Sequence, residues 1–158
     1  MSQGDLPVVH DLSMRVHPDH PERAEVLAEK FRLCPSGCFV LEADGVVAGY
    51  CFSHPWTRGA VPALDGLLDA LPSAPTTYYV HDLTLDEIMR GQGQGRAVVP
   101  LLFAAARSLG LSHLSLVAVN RRGPFWQAAG FSPTADAALQ AAAQAKYGAG
   151  AVHMEKAL

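Results

Sequence analysis

The pattern of apolar and polar residues along the centre of the chain predicts a strand, a glycine-rich turn and a helix. The strand is Thr77 to Leu85, which is rich in β-branched and aromatic residues. The helix is Ala97 to Leu109, whose apolar residues recur at helical spacing. The turn between them contains Arg90 to Gly95. This order aims several backbone N–H groups and the positive end of the helix dipole at one point, and a phosphate is the natural occupant.

The pattern upstream of this unit predicts two helices and a hairpin. The helices are His10 to Val16 and Pro21 to Leu33, and a proline suits the first position of the second one. The hairpin strands are Cys38 to Glu42 and Val46 to Ser53. An Asp-Gly pair typical of tight turns joins the two strands.

The remaining segments are predicted to be a long connection, two further strands and a helix. The connection is His54 to Pro75, with one or two helical turns over Leu64 to Leu71. A buried strand follows at Leu114 to Val119. The alanine-rich stretch Ala135 to Lys146 is predicted to be helical, and Ala151 to Leu158 to be a final edge strand.

One proline conflicts with the central helix. Pro100 falls inside the predicted helix, where a proline costs on the order of 3 kcal/mol. The helix therefore either begins later than its pattern indicates or is kinked at this residue.

The spacing of the glycines argues against two common phosphate-binding motifs. A P-loop ends in Gly-Lys-Ser/Thr, which the chain lacks. A dinucleotide fingerprint needs Gly-x-Gly-x-x-Gly, whereas Gly91, Gly93 and Gly95 alternate. The pattern that fits is Arg/Gln-x-x-Gly-x-Gly/Ala, which begins here at Arg90. It resembles the acyl-coenzyme A binding loop of the GCN5-related N-acetyltransferase (GNAT) superfamily.

A second segment strengthens this resemblance. Asn120 follows the predicted strand and leads to the aromatic pair Phe125-Trp126 and then to Gly130-Phe131. This order is similar to the second signature of the family, and the resemblance covers the chain from about Tyr78 to Phe131. It implies one domain over residues 1–158 with an α/β fold of the α+β type. In this GNAT fold, a mixed and mostly antiparallel central sheet carries helices on both faces.

The resemblance also implies that acetyl-CoA is the co-substrate. The pantetheine arm is expected to bind along the strand before the turn and beside the second signature, at Leu83, Thr84, Leu85, Asn120, Phe125 and Trp126. The pyrophosphate is expected to lie on the turn, at Arg90, Gly91, Gln92, Gly93, Gln94, Gly95 and Arg96.

His81 is the first candidate for the catalytic base. It lies two residues before Leu83, where several acetyltransferases of the family have a carboxylate, and an imidazole with a pKa of about 6.5 can accept a proton near neutral pH. A histidine on a half-buried strand is also often a hydrogen-bonded core residue. Asp82 is the second candidate. In a regular strand its side chain would point away from His81, and a β-bulge would overturn that assignment.

The chain departs from the family pattern at Trp126. The family usually has a tyrosine there, whose hydroxyl protonates the departing thiolate, whereas an indole has no accessible proton to give. Either the thiolate leaves without a dedicated acid, or another residue such as Tyr79 or Tyr50 supplies the proton. This departure also leaves an alternative function open, that of a catalytically weak acyl-CoA-binding sensor or regulatory module.

The acceptor is expected to be a primary amine of a small molecule or a peptide. The residues expected to line its pocket are Glu22, Tyr50, His54, Trp56 and Tyr79. An acidic Glu22 or Asp82 would suit a cationic amine. Trp56 has the alternative role of packing under its proline-rich loop.

Amino-acid composition and charge mainly argue against other classes of partner and location. The chain has a net charge of −3 and no basic cluster larger than Arg121-Arg122, which argues against a nucleic-acid partner. No apolar run approaches the roughly 20 residues of a membrane span, and Met1 to Asp11 lacks the pattern of an export signal, so a cytoplasmic location is expected. The three cysteines are expected to be free thiols, and no metal site is expected. A homodimer stays open.

Overall fold

The strand-forming segments assemble into one six-stranded sheet. The computed structural model describes residues 1–158. Its strands are β1 (Cys38–Ala43), β2 (Val46–Trp56), β3 (Thr77–Leu85), β4 (His113–Ala118), β5 (Ser132–Pro133) and β6 (Val152–Ala157). Their order across the sheet is β1-β2-β3-β4-β6-β5, and every neighbouring pair is antiparallel except β3 and β4, which are parallel. The mixed, mostly antiparallel sheet expected from the sequence is confirmed.

Helices cover both faces of this sheet, as expected. They are α1 (Leu6–Val16), α2 (Ala24–Leu33), α3 (Gln94–Ala97), α4 (Val99–Ser108), α5 (Gly123–Ala128) and α6 (Ala137–Tyr147). On one face, Leu12 of α1 and Leu27 of α2 share a core with Phe52. On the other face, Leu102 of α4 shares a core with Val80, and burying one such leucine stabilises the fold by about 1.5–3 kcal/mol. None of the helices is long and apolar enough to cross a membrane.

The predicted hairpin is confirmed, and its turn is tight. Asp44 and Gly45 connect β1 to β2 with φ angles of 51° and 77°. Two successive residues with positive φ form the type of turn whose twist matches that of the flanking strands, and an Asp-Gly pair tolerates it. All three cysteines are free and buried, as the sequence predicted.

The conflict at Pro100 is resolved by a helix that begins late. α3 ends at Ala97 and α4 begins at Val99, so Pro100 lies in the first turn of α4. A residue at this position has no N–H partner within the helix, and its fixed φ angle suits a helix start.

Two predicted helix starts, one predicted helix and the predicted position of the last strand are wrong. α1 begins at Leu6 rather than His10, and α2 begins at Ala24 rather than Pro21. Leu64 to Leu71 forms no helix, since Asp65 and Asp69 adopt positive φ angles of 50° and 60° that interrupt one. The last strand is also not at an edge, because the two-residue β5 pairs with the outer side of β6.

A β-bulge interrupts β3 at His81. The pairing with β2 passes from Ser53–Val80 directly to Phe52–Asp82, so His81 is the extra residue. A regular strand would separate the side chains of His81 and Asp82, and that expectation is wrong here. The bulge brings both side chains to the face that α1 and α2 cover, where His81 contacts Glu22 and Asp82 contacts Tyr50.

Candidate active site

The separation of β3 from β4 opens a cleft in the sheet. The two strands pair only where Tyr78 to Val80 meets Leu114 to Leu116. Beyond this point, residues 81–85 and 117–119 belong to the walls of a cavity of about 680 Å³. A cavity of this volume lies within the usual range of small-molecule sites. An extended ligand can therefore bind between the strands through their backbone groups, as an added strand would.

The glycine-rich turn closes one end of this cleft and presents free backbone donors. Gly91 and Gly93 have φ angles of 77° and 78°, a conformation that favours glycine. A side chain at Gly95 would begin 3.4 Å from the ring of Phe125, which leaves it little room. The amides of Gly93, Gln94 and Gly95 make no hydrogen bond within the protein. Such converging amides form a typical anion site.

Three arginines add positive charge to this end of the cleft. Arg90 and Arg96 belong to the turn, and Arg122 lies in the loop between β4 and α5. Arg90 is held in place because its Nε donates to the carbonyl of Leu85 at 3.3 Å. Arg122 was not predicted. It reaches the cleft because Asn120 and Arg121, with φ angles of 51° and 60°, turn the chain sharply after β4.

The structure brings together all but one of the residues predicted to bind the coenzyme. Those that line the cleft are Leu83, Thr84, Leu85, Arg90, Gly91, Gly93, Gln94, Gly95, Arg96, Asn120, Phe125 and Trp126. Gln92 is exposed, and its side chain donates to the carbonyl of Ile88 at 2.7 Å instead. Trp126 lines the cleft, as expected, and also packs edge-on against Phe131 in the core.

At the other end of the cleft, Glu22 forms a buried ion pair. Nζ of Lys30 lies 2.7 Å from Oε1 of Glu22, and both side chains are almost fully buried. Burial alone would raise the pKa of Glu22. The contacts with His81 and Lys30 outweigh it and hold this pKa at about 2. Glu22 is therefore ionised at neutral pH and can only accept hydrogen bonds.

The ionised Glu22 fixes the tautomer of His81. Nε2 of His81 lies 3.3 Å from Oε1 of Glu22, so Nε2 carries the hydrogen. Burial, and then the nearby charge of Lys30, lower the pKa of His81, which is thus neutral at pH 7. Its Nδ1 is buried without a hydrogen-bond partner, in a side chain that is 1% exposed and lines the cleft. His81 therefore offers a free lone pair at Nδ1.

A second polar network surrounds Asp82. The hydroxyl of Tyr50 donates to Oδ2 at 2.6 Å, and the hydroxyl of Thr84 donates to Oδ1 at 3.0 Å. Nε2 of His17 lies 2.6 Å from the same Thr84 oxygen and 3.9 Å from Oδ1 of Asp82. Burial and the charge of Asp82 raise the pKa of Tyr50, so its hydroxyl stays protonated and remains a donor. Asp82 and His17 both line the cleft.

Four of the five residues predicted to line the acceptor pocket do not reach it. Only Glu22 does, whereas Tyr50, His54, Trp56 and Tyr79 lie outside the wall. Tyr50, His54 and Tyr79 are 1–2% exposed, and burial lowers the pKa of His54 to about 3. Trp56 packs edge-on against His54. These residues belong to the inner strands β2 and β3, whose side chains point into packed interior at these positions.

The acceptor end instead uses side chains that the sequence did not reveal. They are Ser13, Val16, His17, His20, Leu64 and Tyr147. Of the four tyrosines, only Tyr147 lines the cleft, so Tyr50 and Tyr79 are not placed to protonate a thiolate directly. Tyr147 comes from the end of α6, and its hydroxyl donates to the carbonyl of Pro62 at 3.1 Å. No group of three or more His, Cys, Asp or Glu side chains comes together as a metal site.

Comparisons with known proteins agree with this geometry. A search of curated proteins finds no match. Among solved structures, Ard1 from Thermoplasma volcanium is similar with a TM-score of 0.73 and 16% identity, over 100% of this chain and 94% of that chain. The GNAT-like decarboxylase GphF in complex with isobutyryl-CoA is similar with a TM-score of 0.76 and 16% identity, over 99% of this chain and 96% of that chain. A third similar structure is N-acetylglutamate synthase from Neisseria gonorrhoeae, complexed with coenzyme A and N-acetyl-glutamate. Its TM-score is 0.70 and its identity 15%, over 99% of this chain and 34% of that chain.

These likenesses show a shared fold, and the sequence itself shows the family. Residues 6–131 match the family model described as the acetyltransferase (GNAT) family. The matched region begins in α1 and ends after α5, so it includes β3, the glycine-rich turn and β4. The chain belongs to the GNAT acetyltransferase family.

Proposed function

We propose that the protein is a cytoplasmic, acetyl-CoA-dependent N-acetyltransferase that moves an acetyl group directly to a primary amine of a small molecule or a peptide. The observation that carries the proposal is a single cleft with two unlike ends. Free amides and arginines lie at one end, and proton-accepting side chains lie at the other. This arrangement suits a thioester donor and an amine acceptor that meet without a covalent enzyme intermediate.

The coenzyme would enter from the end that holds the glycine-rich turn. Its pyrophosphate would bind the amides of Gly93 to Gly95, with Arg90, Arg96 and Arg122 around it. Its pantetheine arm would run along the unpaired edge of β3, toward the bulge at His81. Solved structures with the same fold contain coenzyme A or isobutyryl-CoA, which supports the donor class.

The reaction requires one proton to leave the amine before attack. An amine that arrives protonated gives this proton to Nδ1 of His81, which is neutral and unpartnered. The nitrogen lone pair then attacks the thioester carbonyl carbon, so a C–N bond forms and the C–S bond breaks. A second proton moves from the same nitrogen to the departing sulfur. The products are the N-acetyl amine and coenzyme A as a thiol, and His81 returns its proton to solvent.

The missing acid at Trp126 fits this route. A simple thiol has a pKa of about 8.5, so its thiolate is a fair leaving group and needs less help than an alkoxide. The proton that the new amide nitrogen loses is already beside the sulfur. We propose that the hydroxyl of Tyr147, whose side chain lines the same cleft, turns from the carbonyl of Pro62 to the departing sulfur to assist that transfer.

The experiment that tests the proposal is calorimetric titration with acetyl-CoA, followed by thiol release with a broad panel of amines. Gly93→Glu puts a carboxylate where the pyrophosphate would lie and should weaken binding at least about 100-fold. Gly45→Glu is the matched control, because Gly45 has nearly the same φ angle but lies in the hairpin turn. Both variants carry similar backbone strain. Equal losses in the two variants, or no binding by the wild type, would contradict the coenzyme site.

A second candidate function is an acyl-CoA-binding module without turnover. Trp126, buried in the core at the position of the usual proton donor, is the observation that favours it. The two functions differ in one readout. A binding module would bind acetyl-CoA and lose this binding in Gly93→Glu, yet would release no thiol with any amine of the panel.

A further inference from the structure

The charged groups of the cleft are separated by sign. Its arginines lie on the glycine-rich turn and in the loop after β4, whereas its two carboxylates, Glu22 and Asp82, lie at the opposite end. No lysine lines the cleft, and the nearby Lys30 is 1% exposed and bound to Glu22. The remaining basic groups at the acceptor end are the imidazoles of His17, His20 and His81. Those of His17 and His81 are already hydrogen-bonded.

Asp82 is a carboxylate with no lysine or arginine partner inside the protein. Both groups that donate to it, the hydroxyls of Tyr50 and Thr84, are uncharged. The nearest basic nitrogen is Nε2 of His17, at 3.9 Å from Oδ1. The side chain is 18% exposed, and it lines the cleft. A largely buried carboxylate in this state favours a cationic ligand as its partner.

Nδ1 of His81 is a second, independent observation at the same end. Buried polar atoms in proteins are nearly always hydrogen-bonded, and this nitrogen has no partner. Because Nε2 donates to Glu22, Nδ1 can only accept. The bulge in β3 places it on the same face as Asp82. The two acceptors together match the several N–H donors of one ammonium group.

We infer that the acceptor is a protonated primary amine that carries no carboxylate beside its amino group, and that Asp82 and Nδ1 of His81 hold its ammonium. This inference rests on the proposed transferase function and names the chemical class of its acceptor. A neighbouring carboxylate would face Glu22 and Asp82 and would find no free lysine or arginine. The side chains of Val16 and Leu64 suit an alkyl substituent on the amine.

The test compares isopentylamine with leucine as acceptors at saturating acetyl-CoA. The two amines share one alkyl group and differ in the α-carboxylate. We expect kcat/KM for isopentylamine to exceed that for leucine about 100-fold, because like charges that face each other are strongly unfavourable.

Asp82→Asn removes the charge of Asp82 and keeps its size. It should lower kcat/KM for isopentylamine about tenfold or more. It should also shrink the preference over leucine and leave the Kd for acetyl-CoA unchanged. The matched control is Asp86→Asn, which removes a carboxylate that is bound to Arg15 and does not line the cleft. The control should keep the full preference.

The outcomes separate this inference from the proposed function. Equal use of leucine and isopentylamine by the wild type would overturn the inference and leave the transferase function standing. A preference that Asp82→Asn does not change, in a variant that still binds acetyl-CoA, would do the same. If that variant fails to fold, the wild-type preference alone decides. If no amine of any class leads to thiol release, the proposed function and the inference are overturned together.

Discussion

The two ends of the cleft are built in different ways. At the coenzyme end, the contacts that shape the turn are local, such as Nε of Arg90 with the carbonyl of Leu85, five residues away. At the acceptor end, the contacts join distant parts of the chain. His81 meets Glu22 across 59 positions, and Thr84 meets His17 across 67. One end is therefore a backbone motif that a short segment encodes, and the other exists only after α1, α2 and β3 have packed together.

This difference leads to a general expectation for substitutions. Side-chain changes at the acceptor end should alter turnover and leave coenzyme affinity intact, because the donors for the pyrophosphate are backbone groups elsewhere. Changes at the coenzyme end should act on affinity. Any variant that moves both quantities together would weaken the division of the cleft into two ends.

The largest expected effect at the acceptor end belongs to His81→Gln. Removing a positioned proton acceptor should lower kcat by about 10²- to 10⁴-fold, with the Kd for acetyl-CoA unchanged. Because the pKa of His81 is lowered, wild-type activity should persist at a pH below 6.5 before it falls. The fall reports protonation of Nδ1, and it should be absent in the variant.

The measurement is the pH–rate profile of both proteins, and His153→Gln is the control. His153 is also a buried histidine without side-chain partners, but it lies on β6 outside the cleft. A comparable loss of kcat in the control would indicate a packing effect. An unchanged pH–rate profile in His81→Gln would remove His81 as the base.

A smaller effect is expected for Tyr147→Phe. The substitution keeps the ring, which packs against the cluster of Val61, Leu139 and Ala143, and deletes the only tyrosine hydroxyl on the cleft. Losing one hydrogen bond in the transition state should lower kcat about tenfold. This loss of kcat should become smaller with acetyl thioesters of more acidic thiols, because their thiolates leave more readily without a proton donor. Tyr79→Phe, with its hydroxyl off the cleft, serves as the comparison, and equal losses in both variants would contradict a role at the reacting atoms.

The same division explains how much the sequence could reveal. The strand, the turn and the helix after it form a continuous unit, so local pattern predicted β3 with its observed bounds. Of the thirteen residues predicted to bind the coenzyme, twelve line the cleft and only Gln92 does not, whereas Arg122 lines the cleft and was not predicted. The bulge at His81 could not be predicted, because it arises from the register of β3 against β2. Tyr50 and His54 were expected on the cleft for their chemistry, but packing between layers decides whether such side chains reach a cavity.

The smallest expected effect concerns Arg122, the basic residue that the sequence did not assign to the coenzyme end. It is exposed and contributes charge rather than a backbone donor, so Arg122→Gln should weaken acetyl-CoA binding only about three- to tenfold. The loss should fade as salt rises, because salt screens exposed charges. Arg121→Gln is the natural control, since Arg121 is adjacent and exposed but does not line the cleft. If both substitutions weaken binding equally, general charge governs this end of the cleft, and the geometry that the left-handed turn at Asn120 imposes has no separate role.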